Sequence, residues 1–216
     1  MPFAATSSLT RRRILLAALA GLAPGRLQAG GRPAIVTILG DSITAGYGLR
    51  AEDALPAQLQ AALRRLGSPA IVRGAGVSGD TTAGGLARAD FSVQADTRVC
   101  VVALGGNDLL QGLDPKAMQG NLEHIVQNLK VRRIGVVLCG LHAPSGLSRS
   151  YARDFNAVFP AVARAQRVAL YPDLLDGVEQ VAALNQADGL HPNPRGVKLI
   201  AARLAPLVAR ALKAPR

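Results

Sequence analysis

Short apolar runs alternate along this chain with longer stretches in which apolar residues recur at helical spacing. The run at 34–39 is continuously apolar, as is typical of a strand buried on both faces. The same reading predicts strands at 70–72, 98–104, 134–139 and 167–171, and helices at 55–66, from 81 onward, at 114–130, 150–165 and 193–212. Strands that alternate with helices predict an α/β domain, in which helices cover both faces of a parallel sheet.

Glycine and polar residues follow the first four predicted strands directly. These segments are 40–42, 74–80, 105–108 and 140–142. In an open parallel sheet, ligands bind beyond the carboxyl ends of the strands. The sequence therefore predicts that a site for chemistry lies where these four segments meet.

Ser42 is a candidate nucleophile, because it lies between a buried strand and the start of a helix, where developing negative charge is favoured. It could equally be a helix-capping serine. A nucleophilic serine needs a base, and His191 has an acid, Asp188, three residues before it. A short turn would let Asp188 hold one ring nitrogen while the other nitrogen accepts the serine proton. The alternative is a helix-capping turn that contains an incidental histidine.

Negative charge that develops on a carbonyl oxygen requires hydrogen-bond donors. Gly79 can offer an unobstructed backbone N–H, and Asn107 can offer a side-chain amide. Glycine and asparagine are also common in ordinary turns, so each segment alone is a weak indication. Of the two other histidines, His124 is expected on a solvated helix face, and His142 could lie at the edge of the cleft.

The four segments together resemble the SGNH/GDSL hydrolase superfamily. The matching motifs, in chain order, are Gly40-Asp41-Ser42, Ser78-Gly79-Asp80, Gly105-Gly106-Asn107-Asp108 and Asp188-Gly189-Leu190-His191. The longer strings at 40–49 and 76–88 are similar to the bacterial arylesterase and thioesterase I/lysophospholipase L1 subgroup. The resemblance covers about 35–208.

The resemblance implies a three-layer α/β/α sandwich with a five-stranded parallel sheet, a flavodoxin-like arrangement. It implies a serine esterase that hydrolyses acyl, aryl or thio esters, lysophospholipids among them, through an acyl-enzyme. Ser42 would be the nucleophile, His191 the general base and Asp188 the acid that orients it. The oxyanion hole would comprise the backbone N–H groups of Ser42 and Gly79 and the amide of Asn107. No metal or organic cofactor is implied.

Two other functions stay open at this point. One is an esterase that removes O-acetyl groups from carbohydrate or peptidoglycan. The other is a non-catalytic basic protein of the cell envelope that binds acidic polymers or lipid. Under the esterase hypothesis, the segment 142–150 is expected to form part of the substrate wall.

The first 29 residues have the order of an export signal. Three arginines at 11–13 precede an apolar run at 14–23, and small residues follow at Ala29 and Gly30. That run is shorter than the roughly 20 residues that a membrane span needs. We therefore expect an export signal over 1–29, a single hydrolase domain over 30–216, and a periplasmic or secreted protein. An uncleaved anchor or a disordered basic tail are the alternatives.

The chain is basic, with a formal net charge of +11. Residues 1–29 hold four of its 25 basic residues and none of its 14 acidic ones, which leaves +7 on the remainder. The arginines are scattered and aromatic residues are few, which does not fit nucleic-acid binding. We expect a monomer that acts on a small acyl ester, with peripheral contact to membrane lipid as a further option.

The chain has two cysteines, and both fall within predicted strands. Cys100 lies near the start of one strand and Cys139 at the end of another. An offset of about four residues in neighbouring strands is roughly 13 Å. A disulfide requires Cα atoms within about 7 Å. The sequence therefore predicts two buried free thiols.

Overall fold

The structure, a computed structural model, describes residues 33–144 and 146–215, together with residues 1 and 3. The predicted export signal at 1–29 lies outside the described residues except at those two positions, so it stays a prediction. Within the described part of the chain, no helix combines the length and the apolarity needed to cross a membrane.

Five parallel strands form one sheet in the order β2-β1-β3-β4-β5. The strands are β1 (Ala34–Gly40), β2 (Ala70–Gly76), β3 (Thr97–Ala103), β4 (Gly135–Cys139) and β5 (Ala169–Tyr171). The order reverses direction between β1 and β3, and such a reversal opens a crevice at the carboxyl ends of these strands. The side chains of β3 and β4 are almost fully buried, which explains their continuous apolar runs.

Helices cover both faces of the sheet, so the predicted three-layer α/β/α sandwich with five parallel strands is confirmed. The helices are α1 (Ser42–Ala45), α2 (Leu55–Arg65), α3 (Thr82–Ser92), α4 (Gly106–Leu110), α5 (Pro115–Val131), α6 (Arg149–Gln166) and α7 (Pro194–Lys213). Helices α2 and α7 pack against each other, while α5 packs against both α3 and α6.

Strand β2 is longer than the predicted 70–72, because its last residues have no hydrophobic signal. Gly74 and Gly76 continue the pairing with β1, opposite Ile38 and Gly40. A Cβ on Gly76 would lie 2.3 Å from the backbone nitrogen of Ala45 in α1. Glycine is therefore required here so that α1, the helix that begins at Ser42, can pack directly on β2. The start of a helix at Ser42 was expected, and α1 begins there. The extent of α1 and the whole of α4 were not predicted, since neither helix is long enough to show a helical period.

Both cysteines are buried and free, as the sequence predicts. Cys100 pairs with Val136 across β3 and β4, so Cys139 is offset by three residues rather than about four. Burial raises the pKa of the Cys100 thiol to about 12, and burial also raises the pKa of Cys139. Neither thiol is therefore a reactive thiolate at neutral pH.

Candidate active site

Ser42 is the first residue of α1, directly beyond the carboxyl end of β1. The preceding residue, Asp41, caps this helix, and its Oδ1 accepts a hydrogen bond from the backbone nitrogen of Ile43 at 3.0 Å. The predicted capping role thus falls to Asp41, which leaves the Ser42 hydroxyl free for another partner. Ser42 is half-buried at the rim of the sheet.

His191 is that partner. Its Nε2 lies 2.9 Å from Ser42 Oγ, and its Nδ1 lies 2.7 Å from Asp188 Oδ2. The Asp188 carboxylate also accepts backbone hydrogen bonds from Leu190 and His191 at 2.9 and 3.0 Å. These hydrogen bonds, with those of His191 contributing most, lower the pKa of Asp188 to about 2. Asp188 is therefore ionised at neutral pH and opposes the positive charge that His191 would acquire on accepting a proton.

The turn that carries Asp188 and His191 is fastened by Gln186. The backbone nitrogen of Gln186 donates to His191 O at 2.8 Å, and its Nε2 donates to Pro192 O at 3.1 Å. The same Nε2 donates to Tyr47 O at 2.8 Å, on the segment that follows Ser42. Gln186 therefore connects the two parts of the chain that carry the serine and the histidine.

Two backbone N–H groups, those of Ser42 and Gly79, are available as hydrogen-bond donors. Gly79 occupies a turn in which Asp80 N donates to Val77 O at 3.1 Å, and its φ of 86° favours glycine. Over residues 33–144 and 146–215, neither Gly79 N nor Ser42 N has a hydrogen-bond acceptor. Both residues line the cleft, so both can donate to a ligand.

Asn107 supplies a third donor from α4, after β3. Its Nδ2 donates one hydrogen to Asp80 O at 2.9 Å, which leaves the second hydrogen of that amide for a ligand. The next residue, Asp108, is buried and accepts two hydrogen bonds from Thr82, at 2.8 Å from N and 2.6 Å from Oγ1. Asp108 thus attaches α4 to the start of α3. This contact fixes the position of the neighbouring residue Asn107.

A cleft of about 320 Å³ joins these residues. Its polar lining includes Ser42, Ser78, Gly79, Asn107 and His191, and its apolar lining includes Ile43, Tyr47, Leu109, Leu110, Leu141, Pro144, Leu175 and Leu190. Mostly apolar walls with a few convergent polar groups are typical of small-ligand sites. Among the described residues, no three His, Cys, Asp or Glu side chains are grouped so as to hold a metal ion.

Residues 38–199 match the model of the GDSL-like lipase/acylhydrolase family. The match includes Ser42 at one end and Asp188 and His191 at the other, and it spans most of the chain.

The chain belongs to the GDSL-like lipase/acylhydrolase family.

Similar proteins agree with this membership. Esterase TesA of Pseudomonas aeruginosa is 37% identical over 176 residues, which cover 79% of this chain and 88% of that protein. The thioesterase 1/protease 1/lysophospholipase L1 of Escherichia coli K12 is 36% identical over 176 residues, with 79% and 83% covered. The crystal structure of AlinE4, an SGNH-hydrolase family esterase, superposes with a TM-score of 0.71 at 41% identity, covering 85% of this chain and 99% of that one. The expected superfamily is confirmed, and the protein is an ester-hydrolysing serine hydrolase.

The carboxyl group beside the serine of this GDSL enzyme has an unusual environment. Burial raises the pKa of Asp41 from 3.8 to about 6, against the lowering effect of the hydrogen bond from Ile43. Asp41 also lines the cleft. It is therefore a second carboxyl group of this GDSL site, distinct from Asp188, and its pKa lies well above the ordinary value for an aspartate.

His142 and Glu179 form another part of the cleft wall. His142 Nδ1 lies 3.2 Å from Asp173 Oδ2, and Glu179 lines the same cleft as His142. Partial burial, and then repulsion from Asp173, raise the pKa of Glu179. The expectation that the segment 142–150 contributes to the wall holds for His142 and Pro144. His124, in contrast, is exposed on α5, as expected.

Five residues of this GDSL site were predicted from the sequence: Ser42, Gly79, Asn107, Asp188 and His191. All but Asp188 line the cleft, and Asp188 contacts His191. Several residues that hold them in place were not predicted. Gln186 and Asp173 carry no sequence signal, because their contacts with Tyr47 O and with His142 join segments that are distant in the chain. Tyr47 was only part of a motif, yet its ring lies 4.8 Å from the His191 ring, between centroids. Arg88 was likewise only part of a motif.

Proposed function

We propose that Ser42, His191 and Asp188 form the catalytic triad of this esterase, which cleaves carboxylic esters in two steps. The 2.9 Å contact between Ser42 Oγ and His191 Nε2 is the observation that carries the proposal. A proton can move directly between these two atoms, and the charged imidazole that results faces an ionised Asp188.

In the first step, Ser42 Oγ attacks the ester carbonyl carbon while its proton passes to His191 Nε2. The oxygen of the tetrahedral intermediate becomes negative and accepts hydrogen bonds from Ser42 N, Gly79 N and Asn107 Nδ2. His191 then returns the proton to the departing alcohol or thiol, and the acyl group stays on Ser42. Such donors, held in place before the reaction, need no reorganisation when charge develops.

In the second step, water takes the place of the alcohol. His191 removes a proton from water, the resulting hydroxide attacks the acyl carbon, and a second tetrahedral intermediate uses the same three donors. Its collapse returns the proton from His191 to Ser42 Oγ and releases the carboxylic acid. Bonds and protons balance over the cycle without any further reactant.

The lining of the cleft supports a proposal for the substrate class. Its leucines, Ile43 and Pro144 present an apolar wall to the acyl group, and a cleft of about 320 Å³ exceeds what an acetyl group would fill. These features favour esters of longer acyl groups over O-acetyl sugars. The thioesterase and lysophospholipase names of the Escherichia coli relative are consistent with acyl substrates of this kind.

We also infer that the domain acts outside the cytoplasm as a monomer. The order of charge, apolar run and small residues over 1–29 supports export, and the surplus of +7 on the rest of the chain suits transient contact with anionic lipid. Separation of periplasmic and cytoplasmic fractions, followed by mass measurement of the native protein, tests both points.

Labelling with a fluorophosphonate, located by peptide mass, tests the catalytic proposal. The label should appear on Ser42, and Ser42→Ala should lose labelling and about 10⁴–10⁶ in kcat on p-nitrophenyl esters. Ser150→Ala is the matched control and should behave as wild type, because Ser150 is exposed on α6 and is not among the residues that line the cleft. Label on another residue, or turnover retained by Ser42→Ala, would overturn the proposal.

A series of p-nitrophenyl esters from acetate to dodecanoate tests the substrate class. We expect kcat/KM to rise beyond acetate, since each buried methylene contributes about 0.8 kcal/mol. A maximum at acetate, together with release of acetate from acetylated sugars, would instead identify the carbohydrate esterase.

A further inference from the structure

Arg88 lies on α3 and joins three segments of the chain through one guanidinium group. Its Nη2 donates to Gly40 O at 2.8 Å, at the end of β1. Its Nη1 donates to Ala75 O at 2.9 Å, near the end of β2. Its Nε binds Asp80 Oδ2 at 2.6 Å, and Nη1 also donates to Ser92 Oγ at 3.1 Å. The planar guanidinium can meet several acceptors at fixed angles, which a lysine cannot do.

Two of these partners, Gly40 and Asp80, lie next to groups of the proposed oxyanion hole. Gly40 is two residues before Ser42, and its carbonyl also accepts Val77 N at 3.1 Å. Asp80 follows Gly79 in the chain. The carbonyl of the same Asp80 accepts the Asn107 amide at 2.9 Å. The guanidinium therefore contacts the supports of all three donors but none of the donors themselves.

The surroundings of the pair leave little freedom to Asp80. The side chains of Arg88 and Asp80 are 19% and 16% exposed. A Cβ on Gly84 would lie 2.7 Å from Asp80 Oδ1, so glycine at that position makes room for the carboxylate. An ion pair that is mostly buried and has several hydrogen bonds is held in one geometry, unlike a pair at the surface.

We propose that Arg88 is a positioning residue for the oxyanion hole. It holds the carbonyl of Gly40 and the carboxylate of Asp80 at a fixed separation, so the N–H groups of Ser42 and Gly79 and the amide of Asn107 converge on one point. Arg88 is not among the residues that line the cleft, so it acts through Asp80 and Gly40 and not on the substrate. This inference rests on the proposed function.

Arg88→Gln and Arg88→Lys test the inference by steady-state kinetics on one p-nitrophenyl ester. Removing an oxyanion donor outright costs about 10²–10³ in turnover, so displacing the donors should cost about 10–100-fold in kcat. We expect KM to change by less than about threefold, because the apolar walls are intact. Arg88→Lys retains the charge opposite Asp80 but cannot reach both carbonyls, so its kcat should lie between wild type and Arg88→Gln.

Arg73→Gln is the matched control, since Arg73 also forms a two-fold ion pair with an aspartate, Asp96, but at an exposed site. It should leave kcat unchanged. If Arg88→Gln keeps kcat within about twofold of wild type while folded, or raises only KM, the inference is wrong. If Arg88→Gln does not fold, the same criteria apply to Arg88→Lys.

A double-mutant cycle with Asn107→Ala separates positioning from general stability. Because Arg88 supports Asn107 together with the two backbone N–H groups, the two losses in kcat should be partly non-additive, and the double variant should lose less than the product of the two single losses. Losses that multiply would overturn the inference. Separate samples of wild type and of each variant are treated with a fluorophosphonate to test whether Ser42 is reactive. Failure of wild type to label would refute the proposed triad, whereas normal labelling of wild type with an unaffected Arg88→Gln would refute only the positioning role.

Discussion

Asp188 Oδ1 accepts two backbone hydrogen bonds within its own turn, from Leu190 and His191, while its Oδ2 faces the His191 ring at 2.7 Å. The carboxylate is thus oriented by the backbone as well as by the imidazole. Because Asp188 is exposed, water also reaches it. Its contribution depends on orientation and charge together, and the two can be separated by substitution.

Asp188→Asn should reduce kcat/KM by about 10²–10⁴-fold, because the amide can orient the ring but cannot stabilise its positive charge. The comparison is made on p-nitrophenyl butyrate from pH 5 to 9. With the pKa of Asp188 near 2, its protonation cannot cause any loss of wild-type activity above pH 5. Activity of Asp188→Asn close to wild type across this range would contradict the assigned role.

Asp41→Asn should change how stability depends on pH. The pKa of Asp41 is raised from 3.8 to about 6 on folding, so its contribution is fully present below pH 3.8 and is lost as pH rises through about 6. The loss amounts to about 3 kcal/mol. The asparagine retains an acceptor for Ile43 N and does not ionise. The free energy of unfolding, measured with urea at pH 4.5 and 7.5, should therefore rise for Asp41→Asn relative to wild type at the higher pH. A difference independent of pH would contradict this.

Gly76→Ala should disturb both folding and activity. Its Cβ would lie 2.3 Å from Ala45 N and 2.7 Å from Asp41 O, both of them backbone atoms that cannot give way without moving α1. We expect about 1–3 kcal/mol of destabilisation and a lower kcat, since α1 begins at Ser42.

Gly120→Ala is the control for this glycine. Gly120 lies inside α5, and nothing lies within 4 Å of its added Cβ. Alanine there should stabilise the protein by about 0.5–1 kcal/mol without affecting kcat. Urea midpoints and kcat/KM of both variants provide the measurement, and equal midpoints would show that the close contact at Gly76 is unimportant.

Glu179→Gln should alter the preference for the charge of the leaving group. Glu179 and His142 line the cleft, and Asp173 lies beside His142, so carboxylates dominate this part of the wall. A cationic leaving group should gain from them, and an anionic one should lose. We expect the ratio of kcat/KM for a choline ester to that for its neutral 3,3-dimethylbutyl analogue to fall by about 3–10-fold in Glu179→Gln.

The control for leaving-group charge is Glu52→Gln, at an exposed glutamate that pairs with Arg50 outside the cleft. It should leave the ratio unchanged. A ratio that stays constant in Glu179→Gln as well would mean that the leaving group does not approach Glu179.

The parts of the fold that bury apolar side chains could be predicted from sequence, and the parts made by glycine could not. The runs of β3 and β4 are apolar throughout because both of their faces are covered, so their bounds were correct within one residue. The end of β2 contains Gly74 and Gly76. Glycine is needed at both positions because α1 and α2 approach the strand too closely for a larger residue. That approach is a tertiary contact with no local pattern.

The candidate site likewise contains residues that could be predicted from the sequence and residues that could not. The triad could be proposed because each of its members, Ser42, Asp188 and His191, lies in a recognisable motif. The only further requirement was that folding bring these motifs together. Gln186 could not be proposed, since its acceptor, Tyr47 O, is 139 positions away. Arg88 lies at the end of the motif at 76–88, but it contacts Gly40, Ala75 and Asp80 together. Spacing along the chain does not predict such contacts.

The attachment of Gln186 to Tyr47 O and Pro192 O has a consequence for inactivation by heat. The turn from Gln186 to His191 has no place in the five-stranded sheet, so it can open while the strands remain paired. Opening would carry the imidazole away from the hydroxyl and switch the enzyme off reversibly. Warming should then abolish turnover some degrees before the circular dichroism of the helices declines, and cooling should restore it.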